Sequence, residues 1–76
     1  MKAGSKVWKE YWQEEVDAAY LYQVLASYTQ DEKEKSTYLK LSSIEDKHAQ
    51  AWEKLLKEQG TTVQTRKPSF KARALA

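Results

Sequence analysis

The middle of the chain reads Ser43-Ile44-Glu45-Asp46-Lys47-His48-Ala49, which sets a carboxylate and an imidazole three positions apart. Residues three or four positions apart share one face of an α-helix. Extending the pattern at that spacing in both directions gives a stripe of mainly apolar residues: Tyr38, Leu41, Glu45, His48, Trp52 and Leu55. The sequence therefore predicts a helix with a buried apolar stripe that carries two ionisable residues at its centre.

An earlier part of the chain has a similar arrangement. Its stripe consists of Trp8, Tyr11, Glu15, Ala18, Tyr22 and Leu25, with the carboxylate of Glu15 in the middle. Burying an unpaired carboxylate is costly. Two helices that each bury one, opposite a histidine, therefore indicate a cation between them.

The ends of both helices are marked by capping residues. We expect the first helix over about residues 5–28, which contain no Gly or Pro and repeat apolar residues at helical spacing. Two capping boxes, which begin at Thr29 and Asp31, compete for the start of the second helix. That helix is predicted to end near Gln59, with Gly60 as its C-terminal cap.

The connection between the helices is short, so they are predicted to be antiparallel neighbours. Residues 61–67 are polar and aperiodic, which is typical of a linker. Pro68 is suited to open a short third helix that runs to Ala76. We therefore divide the chain into a two-helix domain over 1–60 and a basic linker or tail over 61–76.

The composition excludes several classes of protein. The 76 residues include no cysteine, so disulfides and cysteine-based zinc sites are excluded. No stretch approaches the roughly 20 apolar residues that span a membrane, and Met1-Lys2 is not followed by the apolar run of a secretory signal. These features favour a cytoplasmic protein.

Charge is unevenly distributed along the chain. The net charge is +2, yet residues 61–76 hold four basic residues and no acidic one, so residues 1–60 are net acidic. This asymmetry indicates that the two parts meet different partners. Four positive charges give only modest affinity for a polyanion, and we expect no nucleic-acid partner.

A two-helix hairpin of this length buries little apolar surface, and small domains usually need a bound metal, a covalent cross-link or oligomerisation for stability. The chain has three Trp and five Tyr, a large aromatic load for its length. We therefore expect a homodimer or a larger homo-oligomer, in which two hairpins form an all-α four-helix bundle.

The ionisable residues on the two stripes suit a metal ion. A carboxylate and an imidazole together favour Fe, Mn or Zn over Ca or Mg. One hairpin offers Glu15, Glu45 and His48, and a two-fold symmetric dimer would double this set. A solvated helix face is the alternative interpretation, because a Glu-x-x-His pair also arises by chance. Because all three residues lie on the predicted buried stripes, the pattern favours the metal site over a solvated face.

Two stretches resemble the ferritin-like superfamily: Glu14-Glu15-Val16-Asp17-Ala18-Ala19-Tyr20-Leu21-Tyr22, and residues 43–49 quoted above. The spacing from Glu15 to Tyr22 is similar to that in rubrerythrins, and the single hairpin resembles the encapsulated ferritins. The resemblance implies a ferritin-like bundle with a di-iron ferroxidase site at the dimer interface. Such a site oxidises Fe(II) to Fe(III) for iron storage, detoxification or export, with Mn or Zn as substitute metals.

Carried over residue by residue, the resemblance makes Glu15, Glu45 and His48 the metal ligands and catalytic residues. Glu14 is the alternative to Glu15, about 100° away around the helix, and the apolar neighbours of Glu15 favour Glu15. Glu14 and Asp17 then become candidates for an outer cation-entry site, with ordinary surface acids as the alternative.

Tyr22 is a candidate to hydrogen-bond a ligand carboxylate, with simple core packing as an equal alternative. The tail from Arg66 to Ala76 is similar to the segment that joins a rubrerythrin-like domain to a vacuolar-iron-transporter-like membrane domain. The implied partners are a membrane iron-transporter domain in a longer parent protein, which would make the chain membrane-associated, or an encapsulating shell. The alternative functions are a non-catalytic metal-binding module for assembly or sensing, and a metal-free helical interaction domain.

Overall fold

The structure, a computed structural model, describes residues 3–76. It contains three helices, α1 (Ala3–Tyr28), α2 (Glu32–Glu58) and α3 (Phe70–Leu75), and no strand within the described residues. The predicted all-α class is confirmed. None of these helices is both long and apolar enough to cross a lipid bilayer.

The capping residues set the limits of α2. The carboxylate of Asp31 accepts hydrogen bonds from the backbone N–H groups of Lys33 (2.8 Å) and Glu34 (3.0 Å). Of the two predicted capping boxes, the one that begins at Asp31 therefore caps the helix. At the other end Gly60 adopts a φ of 79°, and the N–H of Thr61 bonds the carbonyl of Leu56 at 3.0 Å. A left-handed residue followed by this bond is a Schellman cap.

The two long helices pack side by side and run antiparallel. The indole Nε1 of Trp12 donates to Glu53 at 2.8 Å, and the hydroxyl of Ser42 donates to the carbonyl of Ala19 at 2.8 Å. Later residues of α1 thus meet earlier residues of α2. The core between the helices consists of Trp12, Val16, Ala49 and Leu56, with Trp8, Trp52 and Val63 packed against it.

The core lies one residue further along each helix than the stripes that the sequence pattern predicted. Val16 follows Glu15 and is 7% exposed, whereas Tyr11 on the predicted stripe is 44% exposed. Ala49 follows His48 and is fully buried. The prediction that the ligand-bearing face is buried within the chain is therefore only partly right. Trp8 and Trp52 of the two stripes pack against the core, but Tyr11 is exposed, because the centre of the buried face lies about 100° further around each helix.

The tail folds back onto the hairpin. Residues 61–67 contain no helix, as predicted, but Val63 packs on the core. The short third helix is also present: Ser69 caps it by accepting from the N–H of Ala72 at 3.1 Å, and Ala72 is buried. The tail is thus an integral part of the fold as well as a basic segment.

Candidate metal centre

Three side chains from the two long helices meet at one point. The Nδ1 atom of His48 lies 2.8 Å from Oε2 of Glu15 and 2.9 Å from Oε1 of Glu45. The three donor atoms lie within 4.8 Å of one another. The structure therefore brings together the three residues that the sequence predicted as metal ligands.

Helix geometry explains this convergence. Glu45 and His48 are three positions apart on α2, so their side chains are neighbours on one face. Glu15 comes from α1, which the shared core cluster that includes Val16 and Ala49 holds against that part of α2. Glu15 and His48 therefore sit at the edge of the interhelical core, each one residue before one of these two apolar residues, and Glu45 lies one helical turn before Ala49.

The centre opens to the surface of the chain. The side chains of Glu15 and Glu45 are 24% and 23% exposed, while that of His48 is 55% exposed. The carboxylates are thus partly desolvated, and the imidazole leaves its outer side accessible. A metal ion bound here would have positions free for ligands from outside the hairpin.

Both Glu15 and His48 hold protons more tightly than isolated side chains do. Burial, reinforced by the charge of Glu45, raises the pKa of Glu15 above its usual value. A hydrogen bond to Glu45 raises the pKa of His48, and the charge of Glu15 acts in the same direction. Nδ1 of His48 lies within hydrogen-bond distance of both carboxylates, and a metal ion bound there would have to displace any proton between them.

The donor set suits a transition metal. Bonds of about 2.0–2.2 Å to oxygen and nitrogen place neighbouring ligand atoms roughly 3.0–3.6 Å apart. The observed nitrogen-to-oxygen distances of 2.8 and 2.9 Å need only a small expansion to match. One imidazole nitrogen with two carboxylate oxygens fits Fe, Mn or Zn better than Ca or Mg.

Aromatic rings flank the centre along both helices. Tyr11 and Trp52 stand one turn away from Glu15 and His48, and their rings contact each other at 5.3 Å between centroids. In the other direction Tyr22 stacks on Tyr38 at 6.4 Å. The stacking accounts for Tyr22 through packing, and its proposed hydrogen bond to a ligand carboxylate stays a prediction.

Asp17 takes part in a hydrogen-bond network that the sequence analysis did not predict. Its carboxylate accepts from the N–H of Ser69 at 2.8 Å, from the Ser69 hydroxyl at 2.6 Å and from Gln13 at 2.8 Å. Burial alone would raise the pKa of Asp17, but these hydrogen bonds outweigh it and lower the pKa. Asp17 therefore anchors the tail.

Glu14 is exposed and lines a groove beside α3 together with Asp17 and Lys71. It stands about 100° away from Glu15 around α1, so it does not join the cluster with Glu45 and His48. The structure thus favours Glu15 as the residue that faces the other two. A cation-entry role for Glu14 and Asp17 stays a prediction.

A second charged cluster was missed by the sequence reasoning. Both oxygens of Glu53 accept from Arg66, through Nε at 2.5 Å and Nη2 at 3.0 Å. The remaining nitrogen of Arg66 donates to Asp46, and Trp12 donates to Glu53. The available signal was the spacing of Asp46 and Glu53, which at seven positions apart share one face of α2 and can meet one guanidinium.

No protein-family model matches this chain, and no curated protein or solved structure matches it either. The resemblance to the ferritin-like superfamily therefore rests on the residues quoted for it and stays a prediction.

Proposed function

We propose that this chain is one half of a ferritin-like ferroxidase. Two hairpins associate as a four-helix bundle, bind Fe(II) as substrate between them and oxidise it to Fe(III). The single observation that carries the proposal is the meeting of Glu15 from α1 with Glu45 and His48 from α2. A ferritin-like di-metal site takes one Glu from each of two helices and a Glu-x-x-His pair from each of the other two. Two copies of this hairpin supply that set.

The open side of the centre supports a two-fold partner. Tyr11, Leu25 and Leu55 share their helical faces with the ligands, and between 40% and 44% of their surface is exposed. An isologous contact would cover the same residues on both copies and bring the two ligand sets face to face. Because each copy contributes three donors, neither would complete a two-metal site alone.

The chemistry follows from the electron count. Each Fe(II) gives up one electron, so two ions supply the two electrons that reduce dioxygen to hydrogen peroxide with uptake of two protons. Peroxide as oxidant would be reduced to water by the same two electrons. The protein contributes geometry and negative charge, which stabilises the more highly charged Fe(III) product.

Anaerobic loading followed by oxygen tests this proposal. Purified protein would be titrated with Fe(II) without oxygen while its mass in solution is measured, and dioxygen would then be admitted. We expect two Fe(II) per dimer, followed by Fe(III) formation with consumption of one dioxygen for each pair of ions. Glu45→Ala should abolish both binding and oxidation, whereas Glu14→Ala, a matched removal of an exposed neighbouring carboxylate, should leave both intact.

The remaining outcomes separate the alternatives. Stoichiometric metal binding without oxygen consumption would identify a non-catalytic metal module that serves assembly or sensing. Failure to bind Fe(II), Mn(II) or Zn(II) would overturn the metal site altogether and leave a helical interaction domain.

A further inference from the structure

The tail and the metal centre lie on opposite sides of the interhelical core. On α2, Ala49 faces the core, with Glu45 and His48 to one side of it and Asp46 and Glu53 to the other, each within about 100° around the helix. The tail covers the second side. Its hydrogen bonds to Asp46 and Glu53 lie on that side of α2.

The tail is fixed to each helix by charged groups. On α2, Arg66 bonds Asp46 and both oxygens of Glu53, and its side chain is only 30% exposed. On α1, Asp17 holds Ser69 through two hydrogen bonds. Bidentate pairing of a guanidinium with a carboxylate sets orientation as well as distance.

The two helix residues that hold the tail, Asp46 and Asp17, lie one or two positions from ligand residues in the sequence. Asp46 follows Glu45, and Asp17 is two positions after Glu15. Within a helix the backbone is stiff, so restraining one residue restrains the direction of its neighbours. The same carboxylate of Glu53 that binds Arg66 also accepts from Trp12 of α1 at 2.8 Å, which links the two helices directly.

We propose that Arg66 is a positioning residue for the metal centre. Its contacts with Asp46 and Glu53 hold the tail on α2, while Ser69 of the same tail is bonded to Asp17 of α1. The tail thereby fixes the rotation of α2 against α1, so that Glu45 and His48 face Glu15 before metal binds. Preorganisation of this kind by groups outside the ligand set governs metal affinity. This inference rests on the proposed function, because it takes the Glu15, Glu45 and His48 cluster to bind metal.

Anaerobic Mn(II) binding to the full chain tests the role without depending on turnover. Arg66→Ala should weaken Mn(II) binding measurably, by less than the roughly 10–100-fold that loss of a partner bonded directly to a ligand costs, because Arg66 acts through the residues next to the ligands. Arg66→Lys should recover only part of that loss, because an ammonium cannot make the bidentate contact with Glu53. Arg73→Ala, which removes a positive charge from an exposed position in the same tail, should bind Mn(II) like the wild type.

A stability control separates positioning from general destabilisation. Asp31→Ala removes the N-terminal cap of α2, about four turns before Glu45, and should lower the melting temperature without changing Mn(II) affinity. All affinities would be measured at a temperature where circular dichroism shows the variants to be fully folded. If Arg66→Ala does not fold, Mn(II) binding is measured on Arg66→Lys instead. An Mn(II) affinity of Arg66→Lys equal to that of the wild type would then overturn the proposal.

The outcomes distinguish this inference from the proposed function. Equal Mn(II) affinity in wild type and in Arg66→Ala would refute the positioning role and leave the metal site standing. Absence of Mn(II), Fe(II) and Zn(II) binding in the wild type would refute both.

Discussion

The imidazole of His48 on α2 lies 2.8 Å from the carboxylate of Glu15 on α1, and this contact joins the two helices where a metal ion is proposed to bind. The same Nδ1 atom is 2.9 Å from Glu45. The hydrogen bond to Glu45, with the negative charges of both carboxylates, favours the charged imidazolium and raises the pKa of His48. Because His48 and Glu15 bind protons more tightly in the folded chain, the stability of the metal-free protein should depend on pH.

Stability of the metal-free protein should fall as the pH rises from mildly acidic to alkaline. The folded state raises the pKa of both Glu15 and His48, so it binds protons that the unfolded chain releases. The stabilisation from His48 is complete below its ordinary pKa of about 6.5 and is lost as the pH rises through its higher folded value. Thermal melting across this range should show the decline, and His48→Ala should flatten it. A wild-type melting temperature that rises with pH over this range would contradict the assignment.

The ion pair between Arg66 and Glu53 should make stability fall as the pH is lowered into the acidic range, which is the opposite dependence. The hydrogen bond from Arg66 lowers the pKa of Glu53, so this stabilisation is present above the ordinary carboxylate pKa and is lost as the pH falls through the folded value. Glu53→Gln should therefore reduce the melting temperature at neutral pH. It should also make the melting temperature fall less as the pH is lowered. Thermal melting of both proteins at several acidic pH values checks this. Parallel melting curves over the whole acidic range would show that the pair contributes nothing.

Metal should stabilise the folded protein through linkage. A ligand at 100 times its dissociation constant adds about 2.7 kcal/mol to the free energy of unfolding. In a domain of this size that corresponds to a rise of roughly 10–20 °C in the melting temperature. We expect such a rise with Mn(II) or Zn(II) in wild type and in Glu14→Ala, and no rise in Glu45→Ala. An unchanged rise in Glu45→Ala would place the metal elsewhere.

The helices were predictable because their signals are local. The limits at Tyr28 and near Gln59, the cap at Gly60 and the short third helix all follow from capping chemistry and apolar spacing. The meeting of Glu15 with Glu45 and His48 was predictable because a short connection forces antiparallel packing. Each of these inferences needs only nearby residues or the length of one loop.

The buried face was not predicted correctly, because the helices carry apolar residues on more than one side. Periodicity could not decide between the stripe through Glu15 and the stripe through Trp12 and Val16, and the hairpin buries the second. Docking of the tail was missed for another reason. The contact of Arg66 with Glu53 and that of Ser69 with Asp17 join residues 13 and 52 positions apart. The spacing of Asp46 and Glu53 marks an acidic face of α2 but does not identify Arg66 as its partner.

The exposed ligand face should make the protein a dimer in solution. Tyr11, Leu25 and Leu55 are each about 40% exposed beside the ligands, and a second copy would cover them. Sedimentation at micromolar concentration should show a dimer or a larger assembly. Leu55→Lys should shift the assembly towards monomer by placing a charge in the contact, while Lys54→Ala, its neighbour, should not. A cooperative wild-type monomer at these concentrations would contradict the shared site.

Removal of individual carboxylates should separate the ligand from its neighbour on α1. Glu15→Ala and His48→Ala should abolish rapid Fe(II) oxidation, because each removes one of the three donors that lie within 4.8 Å of one another. Glu14→Ala should retain rapid oxidation, with at most slower entry of iron, because that side chain is exposed beside α3.

The physical reason lies in the register of α1. A turn of one residue that brought Glu14 inward would carry Val16 and Trp12, each 7% exposed, out of the core. Burial of such side chains is worth about 1.5–3 kcal/mol each, so the observed register should persist in all three variants. Stopped-flow oxidation rates, with circular dichroism to establish that each variant is folded, decide the assignment. Loss of oxidation in Glu14→Ala together with its retention in Glu15→Ala would make Glu14 the ligand in place of Glu15. It would also require α1 to be turned by one residue.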